Sequence, residues 1–273
     1  MSNFPWLTTI GLIPLVGALV VAFLPASLAE RAKQIALGFS LVALLFTVGA
    51  TLQFKTGSLQ QFQLAEVHPW IKQFGVSYAV GVDGIALVLI VMAAILVPVC
   101  VLAAWHDVPE VGKRQQNYFA LMLVLETFMI GVFAATDVFL FYVFFEAMLI
   151  PVYFLIGSYG GARRQYAAVK FLLYSLFGGL IMLVAVIALY HYGPGGAQGF
   201  LVQNLTGLHL DPTVGRLLFL GFFIAFAIKA PMFPVHTWLP DAATEGSPAT
   251  TVLLVGVLDK VGTYGMIRFC LQL

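Results

Sequence analysis

Two lysines and two glutamates in this sequence stand where charge is expensive. Lys229 sits in FLGFFIAFAIKAPMFP, roughly 20 Å along an apolar run counted from Arg216 at about 1.5 Å per helical residue. Lys260 sits in TTVLLVGVLDKVGTYGM, about 18 Å from Pro248 by the same count. Glu146 in DVFLFYVFFEAMLIP is about 13–14 Å from the start of its run, and Glu126 in LMLVLETFMIGVF also lies at depth. A hydrocarbon core is about 30 Å thick, so runs like these that cross a bilayer carry their charges near its middle. A charge there costs about 2.5–3.5 kcal/mol on the insertion scale, and its default reading is functional. Carboxylates and amines with no metal-ligand or nucleophile pattern around them have one chemistry in common, the gain and loss of protons.

The backbone beside two of these groups is interrupted. Pro231 and Pro234 lack N–H donors, which releases the carbonyls of Ala227 and Ala230 one turn earlier. Pro151 does the same for Ala147 and should kink the helix next to Glu146. Free carbonyls inside a membrane persist only against protein or a wet cavity, and ion-coupled transporters build their sites from interrupted helices. His236 falls within the first break, where its imidazole either relays protons or satisfies a free carbonyl. The candidate site is therefore Glu146, Lys229, Lys260, Glu126 and His236.

Each of these has a plainer alternative. Snorkelling to the surface does not account for Glu146, Lys229 or Lys260, which are more than two turns from either end of their runs. Glu126 could serve only to neutralise a lysine. Asp259 and Lys260 are consecutive, hence about 100° apart on a helix, and cannot face one cavity squarely; Asp259 reads as a local charge partner of Lys260. Lys170 opens its run and reads as a snorkelling anchor. His68, His106, His191 and His209 lie in loops or at span ends and read as solvated.

Composition supplies the setting. Hydrophobic residues are 61% of the 273 and charged residues 9%, with mean hydropathy +1.00, against about 25% charged in soluble domains. The net charge of +1 gives no reason to expect nucleic acid or a charged soluble substrate as partner. Cys100 and Cys270 form no C-x-x-C pattern and read as apolar filler. There is no G-x-G-x-x-G, Walker lysine or nucleophile elbow, and no pair of histidines spaced for haem. No cofactor or metal is expected on this chain.

These groups must be positioned by membrane helices. Eight spans are expected, at about 6–25, 35–54, 84–104, 117–135, 137–157, 167–190, 214–239 and 248–270, the first read as retained and not as a signal peptide. Asp83, Asp137 and Ser247 stand as helix caps before spans three, five and eight. Arg31 and Lys33, Lys113 and Arg114, and Arg163 and Arg164 mark odd-to-even loops as cytoplasmic, so the N-terminus faces outward. The loop after span seven, with Asp241 and Glu245 and no cation, is the exception. Residues 55–83, amphiphilic and with Trp70 and Tyr78, read as a structured external loop at the interface, and 191–212 as an outer loop without an evident core. The chain divides into residues 1–110, with spans one to three, and 111–273, with proton-translocating spans four to eight.

The runs GVDGIALVLI, LETFMIGVFAATDVFLFYVFFEAMLIPVYFLIGSYGG, RRQYAAVKFLLYS and FAIKAPMFPVHTWLPDA together resemble one family across about residues 78–273. It is the antiporter-like subunit M family (chain 4 in mitochondria) of proton-pumping NADH:quinone oxidoreductase, respiratory complex I. The resemblance implies an all-α polytopic transmembrane bundle, antiporter-like, with a broken seventh helix. It implies a proton-translocating module of a bacterial inner membrane whose NADH, FMN, iron–sulfur clusters and quinone belong to partner subunits. Its neighbours would be other antiporter-like membrane subunits, lipid, water and protons. The family's fifth-helix glutamate matches Glu146, its lysines of the seventh and eighth helices match Lys229 and Lys260, and its fourth-helix acid matches Glu126. Two positions depart: Ala243 stands where the family commonly has histidine, and Asp259 where it has leucine. Family members have about fourteen spans in two inverted repeats; these eight correspond to the first, with the second absent. Related chains serve multisubunit cation/proton antiporters, which is the alternative reading, ahead of a purely structural membrane scaffold.

Overall fold

The computed structural model describes residues 4–107 and 113–272. The division drawn at 110/111 falls outside them. Among the described residues, seven helical segments are long and apolar enough to cross a membrane: Ser27–Gln53, Gly84–Ala103, Lys113–Ala134, Val138–Tyr159, Arg164–Tyr192, Pro212–Lys229 and Pro248–Cys270. An eighth, α1 (Trp6–Ala22), has 17 residues, the lower limit for a span. The molecule is a multi-pass membrane helix bundle.

The helices begin where the caps are. The Asp83 side chain accepts from the N–H of Ala86 at 2.8 Å to open α3 (Gly84–Ala103). After α4 (Lys113–Ala134), Asp137 accepts from Phe139 at 2.9 Å and Leu140 at 3.0 Å to open α5 (Val138–Ala147). Ser247 opens α11 (Pro248–Leu253) with proline at its first position. Each supplies an acceptor to N–H groups that a helix start leaves unpaired.

The loops at 55–83 and 191–212 are both ordered. Residues 55–83 hold an antiparallel hairpin, β1 (Gln63–Ile71) with β2 (Val76–Val82), after α2 (Ala32–Gln53). Burial alternates poorly along β1, which is why the strand was not evident beforehand. Asp137 also accepts from the Ser77 N–H at 2.9 Å, which ties the hairpin to the turn before α5. Its carboxyl is raised above the usual range by burial, against the pull of these N–H donors. The segment 191–212 does have a core: Phe200, Val202 and Leu205 are buried, and Val202 N–H donates to the Thr136 carbonyl. Glu66 reaches from β1 to accept from the N–H groups of Leu7 and Thr8 and from the Thr8 hydroxyl, capping α1 in trans.

α1 packs on α4 and α2, while α7 (Arg164–Tyr192) packs on α6 (Leu149–Tyr159) and α9 (Pro212–Lys229). Between α7 and α9 lies the short helix α8 (Val202–Leu205). Small residues set the close approaches. A methyl at Gly178 would lie 3.3 Å from the Ala225 Cα, and one at Gly221 2.8 Å from the Ala185 Cβ.

Candidate functional site

Two broken spans deliver the charged groups. Span five divides into α5 and α6 at Met148, three residues before Pro151, with Glu146 on the last turn of α5. The run expected at 214–239 is likewise two helices: α9 ends at Lys229, and α10 (Trp238–Glu245) follows after a turn containing Pro231 and Pro234. Prolines without donors stop the ladder there.

One expectation about this break is corrected. The Ala227 carbonyl is not free, because the Met232 N–H donates to it at 2.9 Å across five residues. The Ile228 carbonyl is taken by the Trp238 indole N–H, also at 2.9 Å. The chain turns tightly enough after Lys229 for its own backbone and a returning indole to fill the gap. Ala230, at the turn, sits against span eight, where a methyl at Gly262 would meet its N at 2.5 Å.

Lys229 is 1% exposed, and its Nζ has no hydrogen-bond partner among the described protein groups. Glu146 and Asp259 are within electrostatic range of it, yet neither forms an ion pair with it within 4 Å. Nζ lies instead 5.0 Å from the ring centre of Phe145 and 5.5 Å from that of Phe171. Glu146 is half-buried, and its carboxylate presses on α7 at Gly179, where a side chain would collide with it. Glu126 on α4 is fully buried with both oxygens unpartnered by protein. Ser175 Oγ, Asp259 Oδ1 and His236 Nδ1 are buried and unpartnered in the same way.

Span eight alternates α-helix with π-turns: α11, Leu254–Leu258, α12 (Asp259–Gly265) and Met266–Cys270. It turns Asp259 inward at 8% exposed, while Lys260 is exposed on the outer side of the bundle, its Nζ 3.3 Å from the Val255 carbonyl. The two residues do point apart, as their spacing requires. Asp259, read from the sequence as a partner of Lys260, also has Lys229 within electrostatic range. Lys260 is not brought together with Lys229 and Glu146 inside the described bundle.

Other groups acquire partners that spacing did not reveal. Lys170, read as a snorkelling anchor, pairs with Asp241 at 2.7 Å. Glu245 accepts from the Arg163 N–H at 2.8 Å and stands 3.6 Å from its guanidinium. The loop with acids and no cation therefore borrows its cations from the neighbouring loop and helix. That composition was the available signal. Arg268, 2% exposed, donates to Asp83 at 2.7 Å and stacks on Phe62 and Tyr264.

A bundle of membrane-length helices in which two spans break beside a buried lysine and an acid has the architecture of ion-coupled transport proteins. The chain belongs to the NADH:quinone oxidoreductase/Mrp antiporter transmembrane family, whose model matches residues 135–273. It is 45% identical to NADH-quinone oxidoreductase subunit M of Mycobacterium tuberculosis, over 100% of this chain and 55% of that one. It is 41% identical to NAD(P)H-quinone oxidoreductase chain 4 of Gloeobacter violaceus, over 98% and 49%. The chain thus spans about half the length of these relatives. A chain of respiratory complex I from Thermus thermophilus superposes with TM-score 0.83 at 31% identity, over 97% of this chain and 52% of that one. One from the Mrp complex of Dietzia superposes with TM-score 0.81 at 20% identity, over 96% and 28%, a likeness of fold.

Proposed function

We propose that this chain is a proton-translocating part of a membrane subunit of NADH:quinone oxidoreductase, with Lys229 as its central proton carrier. The observation that carries this is an amine fully buried at a helix break, with two carboxylates near enough to sense its charge and neither bound to it. Such an amine is free to change partner. When Glu146 approaches, the pair is held; when it withdraws against Gly179, the ammonium loses that counter-charge and can pass its proton to another acceptor. Glu126, Ser175 and His236, with buried polar atoms that no protein group satisfies, offer stations for water-borne protons. Lys260, on the outer face of span eight, would receive the proton where further protein covers that face.

On this reading the chain holds no redox centre; NADH, FMN, iron–sulfur clusters and quinone are handled by partner subunits. The setting is a bacterial inner membrane with the N-terminus outside, among other antiporter-like membrane subunits. The test is Glu146→Gln and Lys229→Ala in the full-length subunit within its assembled complex. Both should depress proton pumping and coupled quinone reduction, while electron transfer from NADH to an artificial acceptor persists. Normal pumping in either variant would remove the pair from the mechanism. The likeness to the Mrp complex favours a second reading, a subunit of a cation/proton antiporter. Purification in mild detergent separates the two, through flavoprotein and iron–sulfur partners in one case and antiporter subunits in the other.

A further inference from the structure

The lysine at the break has a seat, and the seat is built by the break itself. Where α9 ends, the Ile228 carbonyl is left over, and the Trp238 indole N–H takes it at 2.9 Å. That fixes the Trp238 ring, which packs on Phe171 with centroids 5.3 Å apart. Phe171 in turn stands 5.5 Å from the Lys229 Nζ, so the path from Ile228 through two rings closes on the neighbouring residue. On the other side, Phe145 lies 5.0 Å from Nζ and is held by Phe141 and Phe226 at 5.9 and 6.0 Å. Trp238, Phe171 and Phe145 are all essentially inaccessible. Both ring centres lie within the roughly 6 Å at which an aromatic face attracts a cation, an attraction that grows when water is excluded.

We propose that Phe145 and Phe171 are positioning residues for Lys229, a two-ring seat that stabilises its ammonium in the state where no carboxylate is bound to it. This rests on the proton-carrying reading of Lys229. A ring attracts the cation but accepts no proton, so it holds the charge more weakly than a carboxylate would and leaves the proton on the amine until an acceptor reaches it. The seat therefore keeps the withdrawn state of Glu146 populated, where Lys229 would otherwise be driven back into the pair. The charged groups facing Lys229 are Glu146 from span five and Asp259 from span eight; span six contributes the ring of Phe171.

The test grades the electrons of one ring without changing its shape. Phe171, distant in sequence from Glu146, is replaced by mono-, di- and trifluorophenylalanine in the full-length subunit of the assembled membrane complex. Proton pumping should fall stepwise with fluorination, reaching about tenfold for the trifluoro ring, the factor corresponding to ~1.4 kcal/mol. Phe171→Tyr should retain the rate and Phe171→Leu should lose it. Equal pumping across the fluorinated series would overturn the proposal, whatever the leucine variant does to assembly. Lys229→Ala runs alongside. If it pumps normally, the carrier reading fails; if it is inactive while fluorination has no effect, the seat alone fails.

Discussion

At the scale of single residues, Lys229 is surrounded by rings and watched by two carboxylates, and that arrangement makes the acids partly redundant. Glu146→Gln leaves Asp259 as an anion in range, and Asp259→Asn leaves Glu146. Groups sharing one partner couple by about 0.5–3 kcal/mol, so the double variant should lose more pumping than the two single losses predict. A double variant no worse than Glu146→Gln would take Asp259 out of the site. Gly179 gives a subtler handle. A methyl there meets the mobile end of Glu146 and not its backbone, so Gly179→Ala should leave assembly intact while pumping falls several-fold. Unchanged pumping would mean that the withdrawn position of Glu146 plays no part. Much of this site was legible beforehand, because charge at mid-depth in an apolar run stands out without a structure. The 100° between Asp259 and Lys260 was legible too, but not which of the two turns inward. That depends on α9 packing against span eight, a neighbour no local spacing specifies. The aromatic seat was hidden for a related reason, since phenylalanine in an apolar run looks like any other phenylalanine.

At the scale of elements, the prolines announced a disturbance in span five and a break in span seven, and the helices are interrupted at both places. What happens to the released carbonyls was beyond the sequence, because the group that satisfies Ile228 is an indole ten positions away on the next helix. Trp238→Phe keeps a ring against Phe171 but strands that buried carbonyl, at a cost of about 1–3 kcal/mol. The purified complex should therefore melt at lower temperature, and an unchanged melting temperature would show that the carbonyl finds another donor. Gly262→Ala strikes harder. Its methyl meets the backbone N of Ala230 at 2.5 Å and the Phe226 carbonyl at 2.8 Å, and neither can rotate away. Spans seven and eight must separate, so the yield of assembled complex should drop where that of Gly179→Ala does not. The hairpin at 63–82 escaped notice because its first strand lies largely exposed, without the alternation that betrays a half-buried strand.

At the scale of the whole molecule, the pairings of Arg163 with Glu245 and Lys170 with Asp241 join the loop after span five and the start of α7 to α10 on one side of the bundle. In the proposed orientation, that side is the cytoplasmic one. Single cysteines at Ala162 and Ser58, both exposed, should then react with an impermeant thiol reagent from opposite faces. Reaction from the same face would overturn the topology. The hairpin side is closed by a longer reach: Arg268 on span eight meets Asp83, 185 residues earlier in the chain. A ribosome adding about 5–20 residues per second needs on the order of ten to forty seconds to span that interval. Asp83, whose other oxygen caps α3, lies in the part of the chain made first. Span eight thus enters after the acid that will receive its arginine has been made. Its insertion ends as a docking step, the arginine neutralised on arrival.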